Sequence, residues 1–566
     1  MITMRALASV LALAFLAMGS GYLHAGATRP LVGVYYFPGW YRGHWKTRAT
    51  TSDRGEWRSA IMNAATPRAL CGFYDDSDPR LWRYYRQWMT SSEINFLAFD
   101  WYYNLGQEFL NESLDRGFLS SEDPRLRFCL HWCNHGGSWW KKPLDQSKPA
   151  LLEMMDRVCD RYFRRSDYLR INGKPVFIIY DTNILQSFAG PNAVRDNLQA
   201  MREQVRKHGF PGLYLVACYS NIEVVEIRRL LEAGFDAFTA YTYAWMRGPR
   251  ITWESKTIPY QASSSLLADY VYPLLAQVGK RLEIPYWPAT FPGWDDRPRA
   301  GLDRALVLTG STPRLFGRMF HSALRHAAPT SPVVMVEAWN EWGEGACIEP
   351  SKEHKFGYLQ EIARATGRPR PTATVPTAEE ISSWSVLSPQ EIETARANES
   401  KPWPTHPVSY YRFAKNYTVP KARLPLVIDL GSDGIPTAQM GLAHVQIEER
   451  TAASTTFLTT GNDPGIGFSV PEVPMAQVKR ITVKVEIKSV TTPILPELYF
   501  ATGLMPEFSQ FCSVLLPSPV NGTTSIRTED IIGWAKSGTP LKRIRLDFGS
   551  QAGARVHLKQ LVLSAD

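Results

Sequence analysis

The amino-acid sequence predicts an α/β protein, a (β/α)8 TIM barrel followed by a C-terminal antiparallel β-sandwich. Between Leu31 and Ala365, short apolar runs ending in aromatic and polar residues alternate with amphipathic stretches of helical period. After Leu424, apolar and polar residues alternate in short runs separated by turn residues, a pattern typical of antiparallel sheets packed face to face. A length of 566 residues also suggests two or more domains.

The expected organisation has four segments: a signal peptide (residues 1–27), a catalytic barrel (28–366), a proline-rich linker (367–423) and an accessory sandwich (424–566). The first segment has one arginine, an apolar run over Ala6–Met18 and small residues up to Ala27. The run is too short to span a bilayer, so we expect cleavage, export to the periplasm or medium, and no membrane insertion.

The barrel prediction rests on the count and order of the elements. The predicted strands are Leu31–Phe37, Ile94–Trp101, Arg127–Trp132, Pro175–Tyr180, Leu213–Cys218, Ala237–Tyr243, Glu283–Ala289 and Val333–Trp339. The predicted helices include Pro79–Ser92, Lys148–Arg164, Ala193–His208, Ile222–Ala233, Leu266–Arg281, Pro313–His326 and Phe356–Ala365. Eight such units favour a barrel with its active site at the C-terminal mouth. A doubly wound open sheet is the alternative, weakened because no glycine-rich phosphate loop follows the first strand.

The remaining chain changes in composition. Clustered prolines mark the linker, which also holds two short helical stretches, Ala378–Ser383 and Pro389–Ala397. The predicted sandwich strands include Leu426–Leu430, Val478–Ile487, Leu541–Phe548 and Val556–Leu563. Such accessory domains often bind glycans, although a purely structural role fits the pattern equally well.

Composition favours a carbohydrate ligand. Aromatic residues make up 12% of the chain, and many stand at the ends of predicted strands, where sugar rings could stack on them. A tryptophan-rich core is the alternative. The net charge of +9 is spread without a basic block, so we expect no nucleic-acid partner, whereas an acidic polysaccharide would suit it. Seven cysteines at irregular spacing do not define a disulfide framework.

The segment Val333–Pro350 (VVMVEAWNEWGEGACIEP) carries the strongest chemical signal. It begins as a buried strand on which Glu337, Trp339 and Glu341 are expected to share one face. Because Glu344 lies three residues after Glu341, the chain must turn for both acids to converge, and the neighbouring glycines allow that turn. Two converging acids at a strand end suit general acid and base chemistry on a sugar.

The two acids are expected to differ in protonation. Carboxylates that share a site repel, so the one in the drier, tryptophan-lined position keeps its proton and becomes the acid. Trp339 and Trp342 bracket the pair. A carboxyl separation of about 5–5.5 Å would predict retention of configuration. The alternative is that both acids only cap the turn.

The same segment resembles a known group of enzymes. The string NEWGEGACIEP at Asn340–Pro350 is similar to the catalytic segment of glycoside hydrolase family 99, the endo-α-mannosidases and endo-mannanases, and to bacterial WbsX-like glycosyltransferases. The resemblance extends to VGVYYFPGW at Val32–Trp40, FYDDSDP at Phe73–Pro79, FLAFDWYY at Phe96–Tyr103 and FPGWD at Phe291–Asp295. It covers the predicted barrel and does not reach the sandwich.

The resemblance implies a division of roles. Glu341 would be the base towards the sugar 2-hydroxyl, and Glu344 would donate the proton to the leaving oxygen, with retention through a 1,2-anhydro sugar. The hydrolases of the family usually carry histidine where this chain has Gly343. That departure bears on the specificity for mannose.

Further residues are predicted to surround the acids. Glu337 and Glu349 are expected to support the site, Glu337 through an arginine or histidine partner and Glu349 by bracing the loop. The predicted substrate-binding residues are Tyr35, Tyr36, Trp40, Asp100, Trp101, Tyr102, His131, Trp132, His135, Tyr180, Tyr241, Trp294, Asp295, Trp339 and Asn340.

We expect no cofactor and no metal. The alternating Cys129, His131, Cys133 and His135 invite a metal interpretation, but four ligands on one straight strand are too far apart to close a tetrahedron.

The sequence therefore predicts a secreted retaining glycoside hydrolase acting on a polysaccharide or glycan, α-mannan-like by the resemblance. One alternative is a retaining glycosyltransferase of surface polysaccharide biosynthesis, and the other is a non-catalytic glycan-binding protein. The expected export disfavours a transferase because activated nucleotide sugars are cytoplasmic. The intact acid pair disfavours a binding protein.

Overall fold

The structure is a computed structural model. Its first barrel strand begins at Leu31. It describes residues 29–42, 69–120, 123–135, 144–183, 185, 191–246, 256–300, 304–371, 373–398, 423–488, 494, 496–502, 508–517, 522–532, 534, 540–549 and 552–566. The predicted signal peptide lies outside the described residues.

Eight parallel strands close into a barrel. They are β1 (Leu31–Tyr36), β2 (Phe96–Asn104), β3 (Arg127–Trp132), β4 (Lys174–Ile179), β5 (Tyr214–Cys218), β6 (Ala237–Thr239), β7 (Ala289–Thr290) and β8 (Val333–Val336). Their order is β7-β8-β1-β2-β3-β4-β5-β6. A parallel bridge between Phe238 and Tyr286, just before β7, joins the two ends. The predicted fold class is therefore confirmed.

Helices follow the strands and cover the barrel. They are α1 (Pro79–Ser91), α2 (Lys148–Val158), α3 (Pro191–Lys207), α4 (Val224–Ala233), α5 (Tyr260–Leu266), α6 (Tyr272–Leu282), α7 (Arg297–Ala300), α8 (Pro313–His326), α9 (Gly357–Ala365), α10 (Ala378–Ser383) and α11 (Pro389–Asn398). Cys159–Phe163 extends α2, and Leu267–Val271 joins α5 to α6, both as π-helical turns. Short strands pair Gln107–Phe109 with β2, Arg170–Ile171 with β4, and Thr257–Pro259 with Val307–Thr309.

The alternation of side chains along each strand places the site. Odd residues of β1 face the barrel interior, where Gly33 leaves room for Phe96 and Met335. Even residues such as Tyr36 face the helices and pack on Trp82 of α1. Because parallel strands share their direction, the inward residues at their C-terminal ends meet at one mouth.

The C-terminal part is a sandwich of two antiparallel sheets. Its strands are β9 (Leu426–Asp429), β10 (Met440–Ala443), β11 (Val445–Thr451), β12 (Ser454–Thr459), β13 (Gly465–Val473), β14 (Arg480–Lys488), β15 (Glu497–Thr502), β16 (Ser513–Leu515), β17 (Gly522–Arg527), β18 (Leu541–Asp547) and β19 (Arg555–Ser564). One sheet has the order β11-β12-β19-β14-β17 with β9 beside β19, and the other has β10-β13-β18-β15-β16.

The two parts and the segment between them are in contact. Trp384, which follows α10, is buried and donates its indole N–H to Cys71 O at 3.0 Å. The Arg281 guanidinium of α6 donates to Leu515 O of β16. Within the described part of the chain, each helix is too short or too polar to cross a membrane.

Candidate active site

The centre of the mouth is an aromatic and polar cluster contributed by strands β1, β2, β3 and by the end of β6. The Tyr35 ring lies 4.8 Å from His131 and 5.0 Å from Tyr241, measured between centroids. His131 and Tyr241 are nearly parallel, with centroids 5.7 Å apart. His131 Nδ1 lies 2.7 Å from Asp100 Oδ1, and both side chains are buried. The sequence predicted all four of these residues, and the structure brings them together.

Burial and pairing oppose each other in the Asp100–His131 pair. Burial raises the pKa of Asp100, while the hydrogen bond from His131 lowers it and only partly offsets the burial. Burial lowers the pKa of His131, but its polar neighbours, including Asp100, outweigh this and raise it overall. Asp100 and His131 are therefore held together by a buried hydrogen bond at the base of the mouth.

A second group of rings extends this cluster towards solvent. His135 packs edge-on against Tyr180 at 4.9 Å and lies 6.0 Å from Tyr102. Tyr180 in turn lies 5.6 Å from Tyr241. Burial lowers the pKa of His135, so this imidazole is neutral at neutral pH and can both donate to and accept from a sugar hydroxyl.

The predicted acids lie in one tight turn directly after β8. Glu344 N and Ala346 N both donate to Glu341 O at 3.1 Å, and Ala338 N donates to Ala346 O at 3.0 Å. Gly345 has a φ of +64°, and a Cβ there would lie 2.9 Å from the Asp295 Cβ. The turn therefore requires glycine at 345, whereas Gly343 is not among the residues with positive φ.

Both acid side chains point towards the aromatic cluster. The Tyr241 hydroxyl donates to Glu341 Oε1 at 3.1 Å. After burial, Glu344 makes the largest contribution to the raised pKa of Tyr180, and Glu341 does so for Tyr241. Only 5% of Glu341 and 4% of Glu344 is exposed. The turn therefore places two carboxyl groups in one largely enclosed, aromatic-walled space.

Glu337 lies deeper, at the end of β8, and is fully buried. Among the described residues, neither carboxyl oxygen makes a hydrogen bond of ordinary length, although Thr242 is near enough to lower its pKa slightly. Burial, then Glu344 and Glu341, raise the pKa well above its usual value. The expectation of an arginine or histidine partner is therefore wrong: burial and the two neighbouring acids raise the pKa of Glu337 and so favour its neutral form.

The Glu349 carboxylate accepts three hydrogen bonds. Its oxygens accept from the hydroxyls of Tyr85 at 2.6 Å and Tyr74 at 2.7 Å, and from Trp342 Nε1 at 2.9 Å. Burial raises the pKa of Glu349 to about 8, against these hydrogen bonds. The side chain ties the acid-bearing loop to α1 through Tyr85.

The polar side-chain groups of Asn340 and Trp40 bind backbone atoms and do not face the aromatic cluster. The Asn340 side chain accepts from Phe37 N at 2.9 Å and donates to Phe37 O at 2.8 Å. Trp40 Nε1 donates to Asn340 O at 2.9 Å. Their polar groups hold the loop after β1 against the loop after β8, so the prediction that these two residues bind substrate is wrong.

Four other predicted substrate contacts point away from the barrel interior. Tyr36 and Trp339 pack against α1, through Trp82 and Tyr85 respectively. Trp101 stacks on Tyr103 and meets Tyr162, and Trp132 packs on Phe177 beside it. These predictions are wrong because alternation turns the neighbours of Tyr35, Asp100 and His131 outward, and because β8 ends at Val336, before Trp339.

The loop after β7 packs on the acid turn. Asp295 N donates to Glu344 O at 2.6 Å, while the Asp295 carboxylate pairs with Arg297. Trp294 is buried and meets Trp245 edge-on at 6.0 Å. Asp295 therefore shapes the turn through its backbone, and its carboxylate is engaged by an arginine.

One residue of the cluster was not predicted. Cys218, at the inward end of β5, lies 3.6 Å from His131 Nε2 and 3.5 Å from the Tyr35 hydroxyl, measured from Sγ. Cys218 ends the predicted strand Leu213–Cys218, and this position at a strand end is the feature of the sequence that could have identified it.

Asp100, His131 and Cys133 have ligand atoms within 4.8 Å of one another and could hold a metal ion. This is a different set from the alternating cysteines and histidines considered in the sequence, since it takes one residue from β2. Asp100 and His131 are at hydrogen-bonding distance, which is shorter than the spacing of two ligands around zinc.

A comparison with known families decides the relationship. The profile of the family described as Glycosyltransferase WbsX matches residues 62–362, more than half of the 566-residue chain. The chain belongs to the WbsX family. The match includes β2 to β8 and the acid turn, so the residues described above lie within it, apart from those of β1 and of the loop after it.

Individual relatives of this WbsX family member are distant. The protein named "Uncharacterized protein WxcX" of Xanthomonas campestris pv. campestris is 23% identical over 316 residues, which is 54% of this chain and 44% of that protein. The chain thus matches less than half of that relative's length.

Two solved structures show weak similarity to the chain. A family 99 endo-α-mannosidase of Bacteroides thetaiotaomicron, in complex with bis-tris propane, aligns with a TM-score of 0.43 at 18% identity, covering 59% of this chain and 95% of that one. A low-affinity xylan-binding module of Roseburia intestinalis aligns with a TM-score of 0.19 at 12% identity, covering 25% of this chain and 96% of that module.

Proposed function

We propose that this protein is a retaining glycoside hydrolase that cleaves a polysaccharide or glycan, with an α-mannan as the first candidate substrate. The observation that carries the proposal is the acid turn, which holds Glu341 and Glu344 in one largely enclosed space beside Tyr241 and Tyr180. Paired carboxyl groups in an enclosed, aromatic-walled cleft are the arrangement that glycosidic cleavage uses.

The chain divides the work between the two acids. Glu341 accepts the proton of the sugar 2-hydroxyl, whose oxygen then attacks the anomeric carbon. Glu344 donates a proton to the leaving oxygen as the glycosidic bond breaks. In the second step Glu344 takes and keeps a proton from the water that attacks the anomeric carbon of the 1,2-anhydro ring, while Glu341 returns its proton to the 2-oxygen, so both acids regain their starting states. The hydrogen bond from Tyr241 fixes one oxygen of Glu341, which orients the carboxylate before the sugar binds.

The neutral Glu337 supports this division. If Glu337 were ionised, its charge would face the Glu341 carboxylate in a space with little water, and their repulsion would favour protonation of Glu341. Because Glu337 keeps its proton, the site holds one fewer negative charge and Glu341 can act as a base.

A retaining glycosyltransferase is the second candidate, and the family description is the observation that favours it. The same residues would then act on a nucleotide-activated donor, with Glu344 near the leaving phosphate. A nucleotide phosphate leaves without taking a proton, so the proton donor assigned to Glu344 would have no role, which argues for the hydrolase.

The test is an assay of the protein on α-mannans and other glycans, and separately on nucleotide sugars with glycan acceptors. We expect reducing ends to appear from a glycan without any nucleotide sugar, and Glu341→Gln and Glu344→Gln each to lower the rate by about a hundredfold or more. Product that forms only with a nucleotide sugar would establish the transferase instead. Hydrolysis that survives both substitutions would remove the site assignment.

A further inference from the structure

The sandwich carries a groove far along the chain from the acid turn. It lies on the outer face of the sheet formed by β10, β13, β18, β15 and β16 and has a volume of about 380 Å³. We call it the sandwich groove. Its lining comprises Gln439, Gly441, Leu442, Ala443, Gly465, Gly467, Phe468, Ser469, Phe508, Arg543 and Arg545.

Glycines form the floor of the sandwich groove. Gly441 pairs with Gly467, which pairs on its other side with Arg545, so two neighbouring strands lack side chains in one row. Neither glycine has a positive φ, and a Cβ on either would meet neighbours at ordinary distances of 3.6 Å or more. The backbone therefore does not require glycine here. Glycine inside a strand weakens the strand and often marks a place where a ligand approaches the backbone closely.

Arginines form the wall beside this floor. The Arg543 guanidinium lies over the Phe508 ring, 4.5 Å from its centroid. Arg545 is the next residue of β18 on the same face, and it pairs with Asp547 and Asp463. Among the described residues that line the sandwich groove, the charged ones are these two arginines. The lining thus combines a flat floor, an aromatic ring and two fixed guanidinium groups.

We propose that the sandwich groove binds a saccharide chain that bears carboxylate groups. The apolar face of a sugar ring fits the glycine floor beside Phe508, and a guanidinium held by stacking is suited to bidentate pairing with a uronic acid.

The position of the groove disfavours a peptide ligand. An extended peptide binds a sheet by pairing with the backbone of its edge. The sandwich groove lies instead over the face of the sheet, where Gly467 of β13 is paired on both sides, with Gly441 of the edge strand β10 and with Arg545 of β18. A ligand over Gly467 is therefore held through its ring faces and its own charged groups, as a saccharide would be.

The inference goes beyond the proposed function, because it assigns a separate site for an acidic glycan to the sandwich and leaves the candidate substrate of the barrel unchanged. Its test does not depend on catalysis. The full chain carrying Glu341→Gln and Glu344→Gln is run by affinity electrophoresis through gels containing polygalacturonate, alginate or neutral mannan. We expect retardation by the two polyuronates that weakens as salt increases, and less retardation by mannan.

Variants locate the binding. Gly441→Gln and Gly467→Gln fill the floor, and Arg543→Gln removes one cation, so each should weaken retardation by about tenfold. Arg543→Lys should restore part of it by keeping the charge. Ser525→Gln, at an exposed position on the opposite sheet, should leave it unchanged. Equal thermal unfolding temperatures would show that the variants fold alike.

Three results would overturn the proposal: no retardation by either polyuronate, equal retardation by neutral mannan, or retardation that the groove variants do not reduce. Failure of the proposed hydrolase would appear separately: the chain with both acids intact would bind these polymers and cleave none of the glycans tested.

Discussion

At the scale of single residues, the direction in which an aromatic side chain points, into or out of the barrel, decides whether it can contact a substrate. Tyr35 and Tyr36 are neighbours in sequence, yet one packs on His131 inside the barrel and the other on Trp82 outside it. The same holds for Asp100 and Trp101. A polar or aromatic residue at a strand end is therefore a candidate only when its parity matches that of an inward residue of the same strand, such as Gly33 in β1 or Met335 in β8.

The Tyr241 hydroxyl gives a test at this scale. Tyr241→Phe removes the hydrogen bond to Glu341 Oε1 and leaves the ring contacts with His131 and Tyr35. We expect kcat/KM for glycan hydrolysis to fall by about tenfold to a hundredfold, with stability little changed.

Tyr243→Phe is the matched control for this substitution. Its hydroxyl is buried and meets the Tyr286 hydroxyl at 3.3 Å, away from the acids. Equal losses of activity in the two variants would show that the Tyr241 hydroxyl has no particular role in the site.

The residues of the site could be predicted in part. Glu341, Asp100, His131 and Tyr241 follow from strand ends and from the acid segment. Asn340 could not be assigned, because its clamp on Phe37 joins residues about 300 positions apart in sequence. Glu337 could be placed inside the barrel by parity, but its protonated state depends on which groups surround it in three dimensions.

At the scale of elements, the acid turn is the feature that the chemistry requires. It is fixed by its own backbone hydrogen bonds, by the loop after β7 through Asp295 N, and by Glu349 through Trp342. Gly345 is its most constrained position, since φ is positive and Asp295 occupies the space of a Cβ.

Gly345→Ala tests this constraint. The Cβ must displace Asp295, so we expect a loss of about 2–4 kcal/mol in stability together with a loss of activity of more than about tenfold. Urea unfolding and the glycan assay measure the two effects.

Gly310→Ala is the control for the backbone alone. Gly310 also has a positive φ, +72°, but nothing lies within 4 Å of its Cβ position. It should cost only about 1 kcal/mol and leave the activity intact. Comparable effects of both substitutions would mean that the contact with Asp295 is unimportant.

Most boundaries of the barrel elements could be predicted to within a few residues because the hydrophobic period changes from strand to helix, but the predicted seventh strand, Glu283–Ala289, shares only Ala289 with β7. The bounds of β3, α8 and α10 agree residue by residue with the sequence prediction. The predicted sixth strand, Ala237–Tyr243, ends at Thr239 instead, because its last residues leave the sheet to reach the mouth. A periodic pattern does not distinguish a strand from the extended loop that continues it.

At the scale of the whole molecule, buried carboxyl groups make stability depend on pH. Burial raises the pKa of Glu349 to about 8 and that of Glu497, in the sandwich, to about 7. Unfolding returns both to ordinary values near 4.5, so between that pH and about 8 the folded protein holds more protons than the unfolded chain. Stability therefore falls as pH rises through this window and levels off above it.

Thermal unfolding between pH 5 and pH 9 measures this dependence. Glu349→Gln, which keeps the group neutral at every pH, should flatten the decline, and the difference from the wild type should approach a few kcal/mol across the window. Glu379→Gln, at an exposed position in α10, should keep the wild-type slope. A wild-type stability that rose from pH 5 to pH 8 would contradict this account.

The central claim is the division of roles between Glu341 and Glu344, and leaving-group dependence tests it most directly. The rates of both glutamine variants are measured on the natural glycan and on a nitrophenyl glycoside of the same sugar, whose leaving group needs no proton. We predict that Glu344→Gln loses about a hundredfold or more on the glycan but about tenfold or less on the nitrophenyl glycoside, whereas Glu341→Gln is impaired on both. Equal impairment of Glu344→Gln on the two substrates, or recovery of Glu341→Gln on the nitrophenyl glycoside, would contradict it.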